Sequence, residues 1–291
     1  MSTAAERSKL FLSGQGANDS TIFTDLSTGG KTLTRYGDAR IRTNQYKYYG
    51  SSMYFDGVTD RLVAGGTGSP TIGAGLFTIQ AWVYIDADSY GNGFTVIDCR
   101  VSDTDGAGFS FYVRSSGKIA FGYSSGSFVV IEGVNSLPLR TWVHVALTRN
   151  AAGLIRLFMN GVQENTVTRT TNYSNVGWSI GSNWSSTSSP AGYINDLEVS
   201  PGICLYETAF TPPGPLVGFK MSGTVKDASN TPLSRVVRAC RVAGLNVQET
   251  TSDPVTGAWE LWVPNEPHSV WCIGQFGEGD KIFGNVYPVT D

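Results

Sequence analysis

Charge is scarce in this chain. Asp, Glu, Lys and Arg make up 15% of its 291 residues, with a formal net charge of −3 and a sequence pI near 5.5. Long solvent-facing helices need much more charge of both signs, so a helical bundle is excluded. There is no basic cluster, and with it goes the electrostatic footprint of a nucleic-acid binder. Histidine occurs only as His144 and His268, which leaves little material for histidine-based catalysis. Cys99, Cys204, Cys240 and Cys272 lack the Cys-x-x-Cys spacing of zinc and redox sites. They read as buried reduced thiols acting as small hydrophobes, with a Cys240–Cys272 bridge left open. No apolar run reaches the roughly 18 residues of a membrane helix. The first residues hold no apolar core of the kind a secretory signal carries, so no signal is expected. The Asn-x-Ser sequons at Asn18, Asn172 and Asn183 accordingly read as surface loops.

What the chain has instead is glycine, 35 residues of it, and 12% aromatic residues, the composition of a β-rich protein with many turns. Residues 77–85 alternate, with Phe77, Ile79, Val83 and Ile85 on one face. Residues 109–114 and 118–123 flank Ser115-Ser116-Gly117, a hairpin signature, and Asn160-Gly161 is the strongest hairpin signal in the chain. Val143, Val145 and Leu147 share a face of the run 141–149. In the run 193–199, strict alternation sends Tyr193, Asn195, Leu197 and Val199 one way and Ile194, Asp196 and Glu198 the other. Pro201-Gly202 ends that run. The only helix candidate is the short stretch 4–12.

These signals, in this order, resemble the laminin-G-like (concanavalin-A-like) jelly rolls found in bacteriophage particle proteins. The resemblance rests on Tyr54-Phe55-Asp56-Gly57 with Asp60-Arg61-Leu62, on Phe77 to Val83, on Trp142-Val143-His144-Val145-Ala146, on Leu157-Phe158-Met159-Asn160-Gly161, and on the closing stretch 192–213. It covers residues 8–214, residues 20–43 are expected to supply an opening strand pair, and the resemblance implies that Trp142 is a core residue. Three prolines in residues 211–215 form a stiff linker. Beyond it, Ser222-Gly223-Thr224-Val225 with Asp227, Thr231-Pro232-Leu233 and Thr256-Gly257-Ala258-Trp259 resemble the carboxypeptidase-regulatory-like, transthyretin-type sandwich. The expected architecture is therefore all-β. A laminin-G-like jelly roll spans residues 1–213, and a small Ig-like or transthyretin-like β-sandwich spans 216–291.

Candidate chemistry is thin. Gly122-Tyr123-Ser124-Ser125-Gly126 matches Gly-x-Ser-x-Gly, but a nucleophile elbow needs a helix after the turn, and here two β-runs flank it. Asp196 and Glu198 could serve a glycosidase only with a further carboxylate, and Pro201-Gly202 stand where the family pattern places it. The expectation is that Asp196 binds backbone amides and Glu198 is solvated. Asp98, Asp103 and Asp105, with Gly106, form the best cation candidate, for calcium, which favours several oxygens from a flexible loop. Tyr90, Tyr173, Asn183 and Trp184 lie in polar loops and are candidate ligand or interface residues, because an indole or phenol there lacks local apolar cover.

The reading that follows is a non-enzymatic structural component of a bacteriophage virion, assembled in the host cytoplasm. It would be capsid- or tail-associated and homo-oligomeric, with other virion proteins as partners. The alternative is a receptor-binding adhesin for host surface glycan, and a glycoside hydrolase is the weaker third. No cofactor is expected beyond calcium, and neither nucleic acid nor membrane insertion.

Overall fold

The computed structural model describes residues 3–65, 71–174, 177–185, 190–216, 219–224, 231–232, 236–241, 244–251, 254–256, 258–263, 268–272 and 281–286. The chain divides into two compact units, Met1–Pro213 and Gly214–Asp291.

In the first unit the chain runs α1 (Ala4–Arg7), β1 (Leu10–Leu12), β2 (Leu33–Tyr36), β3 (Arg40–Arg42), β4 (Ser52–Phe55) and β5 (Arg61–Ala64). It continues through β6 (Phe77–Ile85), β7 (Phe94–Asp98), β8 (Phe109–Val113), β9 (Lys118–Ser124) and β10 (Phe128–Ser136). The last five strands are β11 (Val143–Arg149), β12 (Leu154–Met159), β13 (Val162–Thr168), β14 (Trp178–Gly181) and β15 (Gly192–Pro201). They form two antiparallel sheets. The eight-stranded sheet has the order β13-β12-β11-β6-β15-β4-β3, with β1 also paired to β15. The seven-stranded sheet has the order β10-β9-β8-β7-β14-β5-β2. Only residues 4–7 of the helix candidate are helical, closed by a capping box between Thr3 and Glu6. Leu10 to Leu12 pair with β15 instead. The expected opening strand pair in 20–43 is likewise split: β2 joins the seven-stranded sheet and β3 the eight-stranded one.

The core lies between the sheets. Ile79, Val83 and Ile85 of β6 and Val143, Val145 and Leu147 of β11 meet Phe109, Phe111, Phe121, Trp178 and Ile180 from across the sandwich. Alternation predicts these faces because one side of each strand meets water-free packing. It fails in β15. There the register to β6 shifts between Asn195 and Glu198, and Asp196 takes a positive φ of 51°. This bulge resets the pleat. Ile194, Leu197 and Val199 all enter the core, while Asn195 and Glu198 leave by the other face.

The outer face of the eight-stranded sheet is also covered, by the chain that follows β15. Thr78 Oγ1 donates to the Ile203 carbonyl at 2.9 Å and accepts from Leu205 N at 2.9 Å, and Thr148 Oγ1 donates to the Tyr206 carbonyl at 2.9 Å. Tyr206 and Phe210 stack at 3.5 Å, and Phe210 rests edge-on against Phe158 and His144. The Asn160-Gly161 turn receives the end of this strap. Phe210 N donates to the Gly161 carbonyl, and a Cβ on Gly161 (φ 79°) would collide with the Phe210 carbonyl.

The second unit contains β16 (Phe219–Thr224), β17 (Val236–Arg241), β18 (Gly244–Thr251), β19 (Ala258–Val263), β20 (His268–Cys272) and β21 (Lys281–Val286). β16 pairs with β19, and β18-β17-β20-β21 form an antiparallel sheet. β18 was not anticipated from the sequence. The ladder sets Cys240 opposite Ser269 and Cys272 opposite Val237. Three rungs separate the two cysteine positions, about 10 Å along a strand, more than the Cα spacing a disulfide spans. Val225, Asp227, Leu233 and Gly257 of the transthyretin-like motifs lie outside the described residues, as do residues 186–189 of the Trp184 loop.

Candidate functional site

Two groups of polar and aromatic side chains line the outer face of the eight-stranded sheet, one sealed and one open. The sealed group centres on Glu198, which has no exposed surface. Arg7 grips it through Nε at 2.6 Å and a terminal nitrogen at 2.7 Å, Gln80 Nε2 donates to it at 2.7 Å, and Ser200 Oγ at 2.6 Å. Gln80 Oε1 then accepts from the Tyr206 hydroxyl at 2.7 Å and faces His144 Nε2 at 3.1 Å. That orientation puts the imidazole proton on Nε2 and leaves the buried Nδ1 without a hydrogen bond. Burial holds His144 down to about 3. Burial, with Glu198 next, pushes the Tyr206 hydroxyl up to about 12. Glu198 is therefore not the solvated side chain expected of it. Its oxygens are committed, and it cannot approach a sugar as acid or nucleophile. Asp196 accepts the Tyr49 hydroxyl on both oxygens at 2.9 Å. The Gly-x-Ser-x-Gly stretch lies on the β9–β10 hairpin, with no helix to make an elbow.

The open group is a row. The register places Tyr193 of β15 opposite Tyr54 of β4 on one side and Tyr84 of β6 on the other. The β6–β11 register continues the rung to position 142, where Trp142 stands. Four aromatics from four neighbouring strand lines thus sit side by side, spanning about 14 Å at the usual strand spacing. Ring centroids are 4.8 Å apart for Tyr54–Tyr193, 5.8 Å for Tyr84–Tyr193 and 5.5 Å for Tyr84–Trp142. Tyr193 is buried between its neighbours, whereas Tyr54, Tyr84 and Trp142 keep part of their surface in water.

Each long side of the row is polar. On one side runs the segment 43–49. Lys47 lies over the Trp82 ring at 4.1 Å, Asn195 Oδ1 accepts from Lys47 N, and the Ser52 hydroxyl donates to the Gln45 carbonyl. This fixes Gln45 Oε1 3.3 Å from Trp142 Nε1 and Asn44 Nδ2 3.5 Å from the Tyr193 hydroxyl. On the other side stand Asp56, Ala191 and Asp86, two residues along each strand from the tyrosines, with the ladder maintained by Asp86 N donating to the Ala191 carbonyl. The Tyr54 hydroxyl is raised first by burial, then by Tyr193, Asp56 and Asp86, with Arg42 pulling the other way. Tyr193 is raised by burial and by Asp86 among its charged neighbours. An aromatic platform with amides along one edge and carboxylates along the other can stack a flat apolar ring face and accept or donate to hydroxyls around it.

Residues 56–203, just over half of the chain, match the family described as the concanavalin A-like lectin/glucanases superfamily. The chain belongs to that superfamily. No curated protein sequence matches the chain. Among solved structures, the binding domain of Paraclostridial Mosquitocidal Protein 1 aligns with a TM-score of 0.53 at 10% identity, over 92% of this chain and 76% of that one. The botulinum neurotoxin serotype D ligand binding domain in complex with N-acetylneuraminic acid aligns with a TM-score of 0.52 at 10% identity, over 94% and 72%. At such identity these likenesses speak for the fold alone.

On this lectin/glucanase-superfamily scaffold the residues anticipated from sequence fall elsewhere than the aromatic row. Asp98 is buried against Arg100, whose Nε and a terminal nitrogen reach its oxygens at 3.1 and 2.7 Å. Arg100 also pairs with Asp103 at 3.1 Å, and Asp105 accepts from Val101 N and Ala107 N. A guanidinium thus binds two of the three carboxylates expected to hold calcium, Asp98 and Asp103. The acidic triad that does converge among the described residues is Asp38, Asp56 and Asp60. Within it Asp60 accepts from Asp38 N and Asp56 N, and Arg40 pairs with Asp38.

Tyr173 is not at a surface. It is 1% exposed and packs edge-on against Phe109 in the core. The Tyr90 hydroxyl donates to the Leu137 carbonyl and its ring lies over Gly117, so its cover comes from the β8–β9 turn. Trp184 is partly exposed, with Nε1 3.4 Å from Asp103 Oδ1 and its carbonyl accepting from Arg61. Asn183 Oδ1 accepts from Ser185 N and Oγ. The sequence carried Tyr54 and Trp142 in recognised motifs but gave no sign that they share a rung with Tyr84 and Tyr193.

Proposed function

We propose that this chain is a non-catalytic glycan-binding protein whose ligand lies along the row Tyr54–Tyr193–Tyr84–Trp142. The row itself is the observation that carries this reading: aromatic side chains left partly in water on a sheet face whose central strands are elsewhere covered by the 43–49 segment, Arg7 and the strap. Membership of a lectin-containing superfamily agrees with it. The commitment of Glu198 to Arg7, Gln80 and Ser200 speaks against hydrolysis. The test is a glycan array probed with the full chain, followed by calorimetry on the bound glycans. Tyr84→Ala and Trp142→Ala are expected to lower affinity at least tenfold while the fold is kept. Undiminished binding in both variants would move the site elsewhere, and turnover of any bound glycan would end the non-catalytic reading.

The finer setting is a bacteriophage particle, with the glycan site presented to the host surface and the chain assembled with copies of itself and other virion proteins. Its support is the tandem of laminin-G-like and transthyretin-like resemblances in the sequence. Negative-stain imaging of particles carrying a tagged or deleted chain tests it. In that setting Trp184 and Asn183 are retained as a secondary contact, since the indole keeps exposed surface.

A further inference from the structure

We infer that the aromatic row selects neutral, hydroxyl-rich saccharides and rejects acidic ones. This rests on the glycan-binding reading of the row and goes beyond it by naming the ligand class.

A ligand on the row would meet negative charge along one rim. The β15 register sets Ala191 between Asp56 and Asp86, two residues along from the tyrosines. Asp86 is exposed, at 41% of its side chain, and its cationic neighbour, Arg140, stands off at 3.9 Å, so its charge is only loosely countered where a ligand would approach. Asp38 and Asp60 converge with Asp56, their carboxylate oxygens within 4.8 Å of one another. A sialic or uronic acid on the tyrosines would bring its carboxylate towards these groups.

The nearby cations are already engaged. Arg42 lies 5.7 Å from the Tyr54 ring centroid but bonds Asp19 at 2.7 Å. Arg140, beside the Trp142 end, bonds Asp88 at 2.8 Å and stands 3.9 Å from Asp86. Arg40 is paired with Asp38, and Lys47 is folded over Trp82. No arginine fork among these is presented free to a carboxylate, which is how proteins hold acidic ligands most effectively. Carboxylates, by contrast, are good acceptors for sugar hydroxyls, and the Asn44 and Gln45 amides complete a hydroxyl-reading rim.

The test uses the full chain on matched pairs differing only in the acidic sugar, such as lactose with 3′-sialyllactose, and on neutral and uronate-containing oligosaccharides. Neutral members are expected to bind at least tenfold more tightly than their acidic partners. The Asp56→Asn/Asp86→Asn variant, which keeps acceptor oxygens, is expected to narrow that ratio, with far-UV circular dichroism confirming the fold. Equal or tighter binding of the acidic partners would overturn the inference while leaving glycan binding intact, as would a ratio unmoved by the double variant. Binding of no member of either class would overturn the glycan-binding reading itself, and this inference with it.

Discussion

At the scale of single residues, the strongest lesson concerns two tryptophans. Trp142 stands in the most family-like segment of the chain and was the natural core candidate, yet it sits at the rung just before β11 with part of its ring in water. Trp178, in an unremarkable short strand, is fully buried. Trp178→Ala should cost about 3–5 kcal/mol, as large aromatic truncations in cores do. Trp142→Ala should cost about 1 kcal/mol in a urea melt and show its effect in ligand affinity. The reverse order of stabilities would exchange their roles. His144 supports a second expectation. Its imidazole is held to about 3, below the roughly 6.5 of an unfolded chain. As pH falls, the unfolded chain takes up this proton first. The contribution is thus complete above about pH 6.5 and is lost progressively towards pH 3. Stability should drop by about 2 kcal/mol between pH 7 and 5 on this account. Urea melts of the native chain and His144→Gln at both pH values isolate it, and an equal drop in the variant would assign the loss to other groups.

At the scale of elements, the N-terminal turn and the bulge in β15 work together. The bulge turns Glu198 away from the core, and α1 delivers Arg7 to meet it. Arg7 is only 15% exposed and Glu198 fully enclosed, so removing one partner strands a buried charge. Arg7→Met alone should destabilise the first unit by about 3–5 kcal/mol, and Arg7→Met with Glu198→Gln should recover most of the loss. Chevron or equilibrium urea data on the two single variants and the double variant give the coupling. Additive losses would mean that the pair is not interacting in solution. The edges of the sandwich follow similar logic. β13 and β10 are the end strands of their sheets, and Glu164 joins them by accepting from Val134 N and Asn135 N. Side-chain bonds thus blunt two strand edges that would otherwise be open to pairing.

At the scale of the whole molecule, the chain divides into compact units at Pro213. Residues 1–213 carry a closed core, the strap and the aromatic row. Expressed alone, they should unfold cooperatively and retain the glycan affinity of the full chain. Residues 214–291 should give a separate thermal transition. Calorimetry on both fragments and the intact chain decides this. Absence of a cooperative transition in either fragment would show that the units depend on each other.

Much of the fold was legible in the sequence because its signals are local. Period-two alternation in 77–85 and 141–149, the Asn160-Gly161 turn and the Pro201-Gly202 stop each depend on neighbours a few residues apart. They were enough to predict strands, turns and an all-β sandwich. Alternation tells which side chains share a face, not what covers that face. Hence Tyr173 was expected in a surface loop, Glu198 in water and Trp142 in the core. The bulge at Asp196 was not legible either, since its positive φ is held by long-range partners such as Tyr49 and by the β6 register. The row itself joins positions 54, 84, 142 and 193, which no local pattern relates. Only the pairing of distant strands could set them on one rung, and only the packing of the 43–49 segment and the strap decided that this rung stays open to solvent.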